Sequence, residues 1–292
     1  MQLDGRVAVI TGAASGIGAA LARALANHGC RLALLDRAEA PLQAVAAALP
    51  GSTAHVVDVT DAAAMAATAE AVVAAHGATH VLINNAGTTV VGSFLDHSTA
   101  DWDRVIGVNL LGVVNGCRAF LPHLAKADRA WIVNQSSLFG LMGVPGQTAY
   151  CASKFAVRGF TEALAGELAG SSIGVTIVHP GGVNTAILDN GKAGDGMANG
   201  AAVLDKLKRF FARNAIAPEV VADVVVDAIR RERTRVRVCR ETFVLDWLVR
   251  VAPVRGHRLA VQQIRKALKI DAEIRDRQGR ALASTSKPGP AQ

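Results

Sequence analysis

Short runs of β-branched and apolar residues alternate along this chain with longer stretches in which apolar positions recur every three or four residues. The runs Val7–Ile10, Arg31–Leu35, Ala54–Val57, His80–Ile83, Trp131–Asn134 and Val175–His179 predict strands, and Val236–Cys239 predicts a late seventh. A run such as Val-Ala-Val-Ile is apolar on both sides, which suits a strand covered on both faces. Between the first two strands, Ile17, Ala20, Leu21, Ala24 and Leu25 mark a helical period. Comparable patterns predict helices over Leu42–Leu49, Ala62–Ala75, Trp102–Leu124, Ala149–Leu168 and Glu219–Arg230. Strands that alternate with helices predict an α/β fold: a doubly wound, mostly parallel sheet of seven strands, with right-handed crossovers and helices on both faces.

This pattern fits one domain over residues 1–240. The stretch Ala186–Val203 is rich in Gly, Ala and Asn and shows little periodicity. Beyond the domain, Phe243, Val244, Trp247, Leu248, Val251 and Ala252 follow helical spacing up to Pro253. Leu259, Ala260, Ile264, Ala267 and Leu268 form a second apolar stripe, with Arg258, Gln262, Arg265, Lys266 and Lys269 mostly on its other side. Residues 241–278 therefore read as a basic, amphipathic helical extension. Four roles stay open for it: an anionic membrane surface, closure over a lipophilic substrate, an acidic carrier, or packing within the protein or its oligomer. The tail 279–292 (Gly, Ala, Ser, Thr, Pro) is expected to be disordered.

Aromatic residues are only 4% of the 292, so the core must be built from Ala, Val, Leu and Ile. No apolar run approaches the roughly 18 residues that span a bilayer. A strand-like run begins almost at once, at Arg6, so no signal peptide is expected. Cys30, Cys117, Cys151 and Cys239 are scattered without metal-ligand spacing, and a reduced, cytoplasmic protein is the simplest expectation. The eight histidines form no ligand motif either, so no metal is expected. Residues 1–204 carry 11 Lys/Arg against 14 Asp/Glu, and residues 205–292 carry 20 against 10. The net +7 thus belongs to the C-terminal part. No nucleic-acid reading motif accompanies it, so nucleic acid is not an expected partner.

Chemistry enters directly after the first strand, at Thr11-Gly12-Ala13-Ala14-Ser15-Gly16-Ile17-Gly18. A glycine-rich turn between strand and helix lets main-chain N–H groups approach a pyrophosphate at a helix N-terminus. The second strand ends at Asp36-Arg37. Asp36 can accept hydrogen bonds from ribose hydroxyls and repels a 2′-phosphate, which favours NAD; Arg37 can pair with that phosphate, which keeps NADP open. Asp58-Val59 after the third strand is placed to meet the adenine, and Asn84-Asn85-Ala86-Gly87 closes the fourth. All four motifs fall at carboxyl ends of predicted strands, where open α/β sheets bind ligands. Farther on, Tyr150 and Lys154 stand one helical turn apart, which sets a phenol beside an ammonium. A nearby cation lowers a phenol's pKa, so Tyr150 is a candidate acid/base.

Taken together, these motifs resemble the short-chain dehydrogenase/reductase family, the branch with T-G-x-x-x-G-x-G and Y-x-x-x-K. The likeness runs from about Leu3 to Val238. It covers Thr11–Gly18, Asp58, Asn84–Gly87, Asn109, Ser136-Ser137, Tyr150–Lys154 and Pro180–Thr185. The resemblance implies a Rossmann-like fold and a tetrad. Tyr150 is the acid/base, Lys154 tunes it and holds the nicotinamide ribose, and Ser137 hydrogen-bonds the substrate oxygen, with Ser136 as the competing serine. Asn109 sits at a helix kink and anchors a water leading toward Lys154. It implies a cofactor site of Gly12, Ser15, Gly16, Ile17, Gly18, Asp36, Arg37, Asp58, Val59, Asn85, Ala86, Gly87, Tyr150, Lys154, Pro180, Gly181, Val183 and Thr185. A mobile lid is implied at about 186–204, and a homodimer or homotetramer through the long helices. Residues between Ser137 and Tyr150 (Leu138, Leu141, Met142, Val144, Gln147) would wall the substrate, a hydrophobic secondary alcohol or ketone, steroid-like or lipid-derived. The expected activity is NAD-dependent hydride transfer. The alternatives are an NADP-dependent carbonyl or 3-oxoacyl reductase and, in another class, a non-catalytic dinucleotide sensor or membrane-associated interaction protein.

Overall fold

A computed structural model describes residues 1–185, 187–188, 191–197 and 199–268, apart from the side chains at positions 210, 211, 214, 264, 265, 267 and 268. The expectations for 269–278 and for the tail 279–292 lie outside the described residues.

The chain opens with β1 (Val7–Thr11), α1 (Gly16–Asn27), β2 (Arg31–Asp36), α2 (Glu39–Ala47), β3 (Thr53–Val56), α3 (Ala62–His76) and β4 (Val81–Asn84). Then come a two-residue β5 (Val90–Val91), α4 (Thr99–Ile106), α5 (Gly112–Leu124), β6 (Ala130–Gln135), α6 (Thr148–Glu167) and β7 (Ile173–His179). The last part holds β8 (Lys192–Ala193), α7 (Gly200–Asn214), α8 (Pro218–Arg230), β9 (Arg235–Arg237), α9 (Arg240–Val251) and α10 (Pro253–Leu268). Seven strands form one sheet in the order β3-β2-β1-β4-β6-β7-β9. Every pairing in it is parallel. The order reverses between β1 and β4, and a crevice opens outside the strand ends at such a switch point.

Successive strand residues feed opposite layers. Ile10, Leu34, Ile83 and Val133 face Leu21 and Leu25 of α1 and Val225 and Ile229 of α8. Their neighbours Val9, Leu35, Leu82 and Ile132 face Met65 and Val72 of α3, Phe120 of α5 and Val157 of α6. The seven strands were legible as periodic runs. The β5/β8 ribbon, two residues a side, was too short to leave a period.

Three sequence expectations need correction. The stretch Thr99–Leu124 is long and apolar enough to cross a membrane by length and composition. Here Val113, Cys117, Phe120 and Leu124 are buried against the sheet. That stretch is also not one helix. The residues Gly107–Leu111 form a π-turn between α4 and α5, which is the local kink expected at Asn109. The lid was read as aperiodic, yet its end is helical: Val203 and Leu207 of α7 pack with Val91 and Leu188.

Candidate active site

The glycine loop is held from behind by side chains. Thr11 Oγ1 accepts from the main-chain N–H of Asn85 at 3.0 Å and of Ala86 at 3.1 Å. Asn85 Nδ2 donates to the carbonyls of Thr11 (3.0 Å) and Gly12 (3.2 Å). Asn85 thus locks the β1 and β4 loops together. Gly12 has φ +67°, and a Cβ there would fall 2.8 Å from Ala86 Cα. A Cβ on Gly18 would fall 2.0 Å from the Gly12 carbonyl oxygen. Gly18 therefore serves α1–loop packing and is not among the residues that line the cavity. Ser15 is the N-cap of α1 and makes no side-chain cap hydrogen bond. This leaves the helix N-terminus suited to a phosphate.

Around this loop the other strand ends close a cavity of about 530 Å³. Asp36 and Arg37 line it, and Asp36 Oδ2 accepts from Ala14 N at 3.1 Å while Oδ1 accepts from Ala38 N at 3.0 Å. Asp58 and Val59 line it too, with Asp58 Oδ1 folded onto Thr60 N at 2.9 Å. After β7, Pro180, Gly181, Val183 and Thr185 form the far wall. That loop is pinned to the segment between α7 and α8 by Ile216 N donating to Gly182 O at 3.0 Å and Asn184 N to Ile216 O at 2.9 Å. The Thr185 side chain lies against Gly16, so the two ends of the cleft meet.

Tyr150, Ser137 and Lys154 come together on its floor. The Ser137 hydroxyl accepts from Phe139 N at 3.1 Å and lies close enough to the Tyr150 phenol to pull its pKa downward, and Lys154 Nζ lies 5.8 Å from the phenol ring centroid. Lys154 is buried and donates to the Gln135 carbonyl at 2.8 Å. Ser136 donates to the Lys154 carbonyl at 2.9 Å, a structural bond that leaves Ser137 as the serine beside the phenol. Asn109 is fully buried. Its Oδ1 accepts from Thr88 N at 2.8 Å, and its Nδ2 donates to Thr88 O and to Ser153 Oγ at 3.0 Å each. The π-turn is thereby stitched to the β4 loop and to α6. Gly87 lies between Asn109 and Lys154: a Cβ there would be 3.4 Å from Asn109 Oδ1 and 3.7 Å from Lys154 Nζ.

The electrostatics depart from expectation. Burial dominates at Tyr150 and pushes its pKa up to about 12, with the Ser137 hydroxyl pulling the other way. The ammonium was expected to lower the phenol. Instead burial brings Lys154 itself down to about 8. A protonated Tyr150 at neutral pH is set up as a proton donor. Behind Ser137 stands His179, fully buried, with Nδ1 3.1 Å from the Ser137 carbonyl.

Not every expected wall residue reaches the cavity. Leu138, Val144 and Gln147 do, and Gln147 Oε1 accepts from Thr89 Oγ1 at 2.8 Å. Leu141 and Met142 do not line it; Met142 instead packs under it with Cys151 and Ala260. Their place is taken by residues that sequence reasoning passed over: Val91, Leu188, Val203, Leu207, Glu241 and Leu245. The i, i+4 pairs Val203/Leu207 and Glu241/Leu245 were the available signal.

A phenol, a hydroxyl and an ammonium gathered at the carboxyl edge of a doubly wound sheet place this molecule among the nucleotide-dependent oxidoreductases. The chain belongs to the short chain dehydrogenase family, which it matches over residues 6–195. It is 41% identical over 273 residues to SadH of Mycobacterium tuberculosis, a protein named as an oxidoreductase, covering 91% of this chain and 97% of that one. It is 40% identical over 189 residues to a 3-alpha-(or 20-beta)-hydroxysteroid dehydrogenase of the same species, covering 64% of this chain and 73% of that one. Among solved structures, a Burkholderia phymatum family member in complex with NAD aligns with TM-score 0.79 and 32% identity, covering 85% of this chain and 94% of that one. A metagenomic short-chain oxidoreductase in complex with NADP aligns at 0.65 and 35%, covering 82% and 98%. The chain is a short-chain alcohol dehydrogenase/ketoreductase using a nicotinamide cofactor.

Proposed function

We propose that this enzyme interconverts a hydrophobic secondary alcohol and its ketone with NAD. The observation that carries the reading is the meeting of Ser137, Tyr150 and Lys154 on the floor of a cavity that continues to Asp36. The residues present suit a dinucleotide. The glycine loop cannot accept a Cβ at Gly12 or Gly18, and the N-terminus of α1 is free for phosphate. Gly12, Ser15, Gly16 and Ile17 would hold the pyrophosphate, Asp36 the adenosine ribose, Asp58 and Val59 the adenine. Asn85–Gly87, Lys154 and Pro180–Thr185 would hold the nicotinamide end. Bound there, the nicotinamide supplies hydride chemistry.

The protein's own part is orientation and proton transfer. Ser137 and Tyr150 hydrogen-bond the substrate oxygen. Tyr150 gives that oxygen a proton in reduction and takes one in oxidation, and Ser137 steadies the charge that develops on it. The mostly apolar upper wall (Val91, Leu138, Val144, Leu188, Val203, Leu207, Leu245) supports a lipophilic substrate, steroid-like or lipid-derived. Arg37 at the cavity edge supports a second reading, an NADP-dependent carbonyl reductase. The half-exposed Leu111 and Phe155, on the π-turn and α6, support a homodimer or tetramer built on those helices. Four free cysteines suit a reducing, cytoplasmic setting.

The test is nicotinamide absorbance across a panel of secondary alcohols and ketones with each dinucleotide. Turnover with NAD that vanishes in Tyr150→Phe is expected. Intact turnover in that variant would overturn the mechanism, and tighter binding of NADP than NAD would overturn the assignment of Asp36.

A further inference from the structure

Helix α9 has two unlike faces. Thr242 and Asp246 are buried, and Leu245 and Val249 join the apolar cluster beneath the cavity. Asp246 clamps this side to the sheet edge, accepting from Arg235 at 3.1 Å, Arg237 at 2.9 Å and Arg250 at 3.0 Å. On the opposite side, positions 243, 244, 247 and 251 share a face about 100° wide. They hold Phe243, Val244, Trp247 and Val251, all standing in water. Val254 and Leu259, on α10, are exposed as well. Among the described residues, half of the large exposed apolar side chains lie in this short segment. Trp247 is 63% exposed, whereas Trp131, in the core, is 2% exposed.

The charges around the patch have one sign. Arg240, Arg250, Arg255, Arg258 and Lys266 are exposed on the same two helices. The acids there are Asp246, held inside, and Glu241, at the cavity rim. The Arg237 guanidinium stacks 4.5 Å from the Phe243 ring. Apolar anchors interleaved with cations, with a tryptophan among them, match an interfacial helix on an anionic bilayer. A second copy of the chain fits less well, because a two-fold contact would set these arginines against each other.

We propose that the outer face of α9 and the start of α10 dock this enzyme on an anionic lipid surface. Docking places α9, whose inner side carries the cavity-lining Leu245, between the bilayer and the cavity. A lipophilic alcohol can then pass between bilayer and cavity without crossing bulk water. The docking itself does not depend on which alcohol is used.

Flotation of the full chain with vesicles of phosphatidylcholine, with or without phosphatidylglycerol, tests this. The chain is expected to float only with the anionic vesicles, with a blue shift of tryptophan emission, and to be released by high salt. Phe243→Ser with Trp247→Ser should weaken partitioning about tenfold or more. Turnover of a small water-soluble alcohol should be unchanged, which also shows that the variant folds. Arg255→Glu with Arg258→Glu should weaken it on anionic vesicles too. Absence of flotation would overturn the proposal. So would unchanged flotation of the serine variant, or a variant that changes oligomer size in solution but not vesicle binding.

Discussion

His179 predicts a specific acid sensitivity. Its ring is fully buried at the end of β7, Nδ1 meets the Ser137 carbonyl at 3.1 Å, and Nε2 is buried without a partner. Desolvation pushes its pKa from 6.5 down to about 4, with Arg235 and Arg158 pushing the same way. The Ser137 carbonyl and Asp246 only partly oppose this. The unfolded chain takes up this proton near 6.5 and the folded chain only near 4. The folded state therefore keeps its full stability above 6.5 and loses it as pH falls through that window. The loss amounts to about 3 kcal/mol at pH 4 and below, a large share of a domain's stability.

His179→Asn isolates this contribution, because the amide can donate to the Ser137 carbonyl but does not titrate. At neutral pH the variant should be about 1–2 kcal/mol less stable through lost packing. Denaturant unfolding of both proteins from pH 7 to 4 should show that gap closing and then reversing sign. The other histidines that burial holds low (His55, His76, His80 and His97) remain in both proteins and cancel in the difference. A gap that stays constant across the window would refute the reasoning.

Lys154→Met removes an ammonium that burial holds down to about 8, and it should stabilise the fold by about 1–3 kcal/mol at pH 7 while abolishing turnover. For the same reason the native enzyme should gain stability as pH rises from about 8 to 10.5, and a lower denaturation midpoint for the variant would contradict this. Thr11→Val keeps the shape but leaves the N–H groups of Asn85 and Ala86 without their acceptor. It should cost about 2–3 kcal/mol and weaken dinucleotide binding, read by denaturation and by titration of the dinucleotide. Asp246→Asn loosens three arginines from a buried carboxylate. It should cost about 2–3 kcal/mol and raise the proteolytic susceptibility of α9 before that of the sheet. Uniform susceptibility along the chain would argue against a local clamp.

What was legible in the chain follows from how each part is encoded. The five inner strands of the sheet are largely buried on both faces, so each shows as an apolar run, whereas the edge strands β3 and β9 are only partly buried and carry polar residues. The parallel topology follows from the alternation of strands with helices. The dinucleotide residues sit mostly at strand ends, and Tyr150 and Lys154 on one helix, in fixed local patterns. Thr11–Gly18 and Tyr150–Lys154 carry their spacing within one turn or one helix, so sequence alone places them. The upper cavity wall is different. Leu188 comes from the segment after β7, Val203 from α7 and Leu245 from α9, and only the fold sets them beside Val144. Met142, one residue from the lining loop, turns into the core because Ala260 and Cys151 offer it an apolar seat.

The protonation states were the least legible, since spacing reports proximity but not solvent. Tyr150 and Lys154 are one turn apart, as read, yet burial moves the phenol up and the ammonium down, each toward its neutral form. Desolvation at this depth outweighs the attraction that a one-turn spacing suggests. The same burial that makes the pair costly keeps competing water from the phenol, where a proton must pass to a single substrate oxygen. The stability gain predicted for Lys154→Met therefore measures what the fold gives up to hold that ammonium beside the phenol.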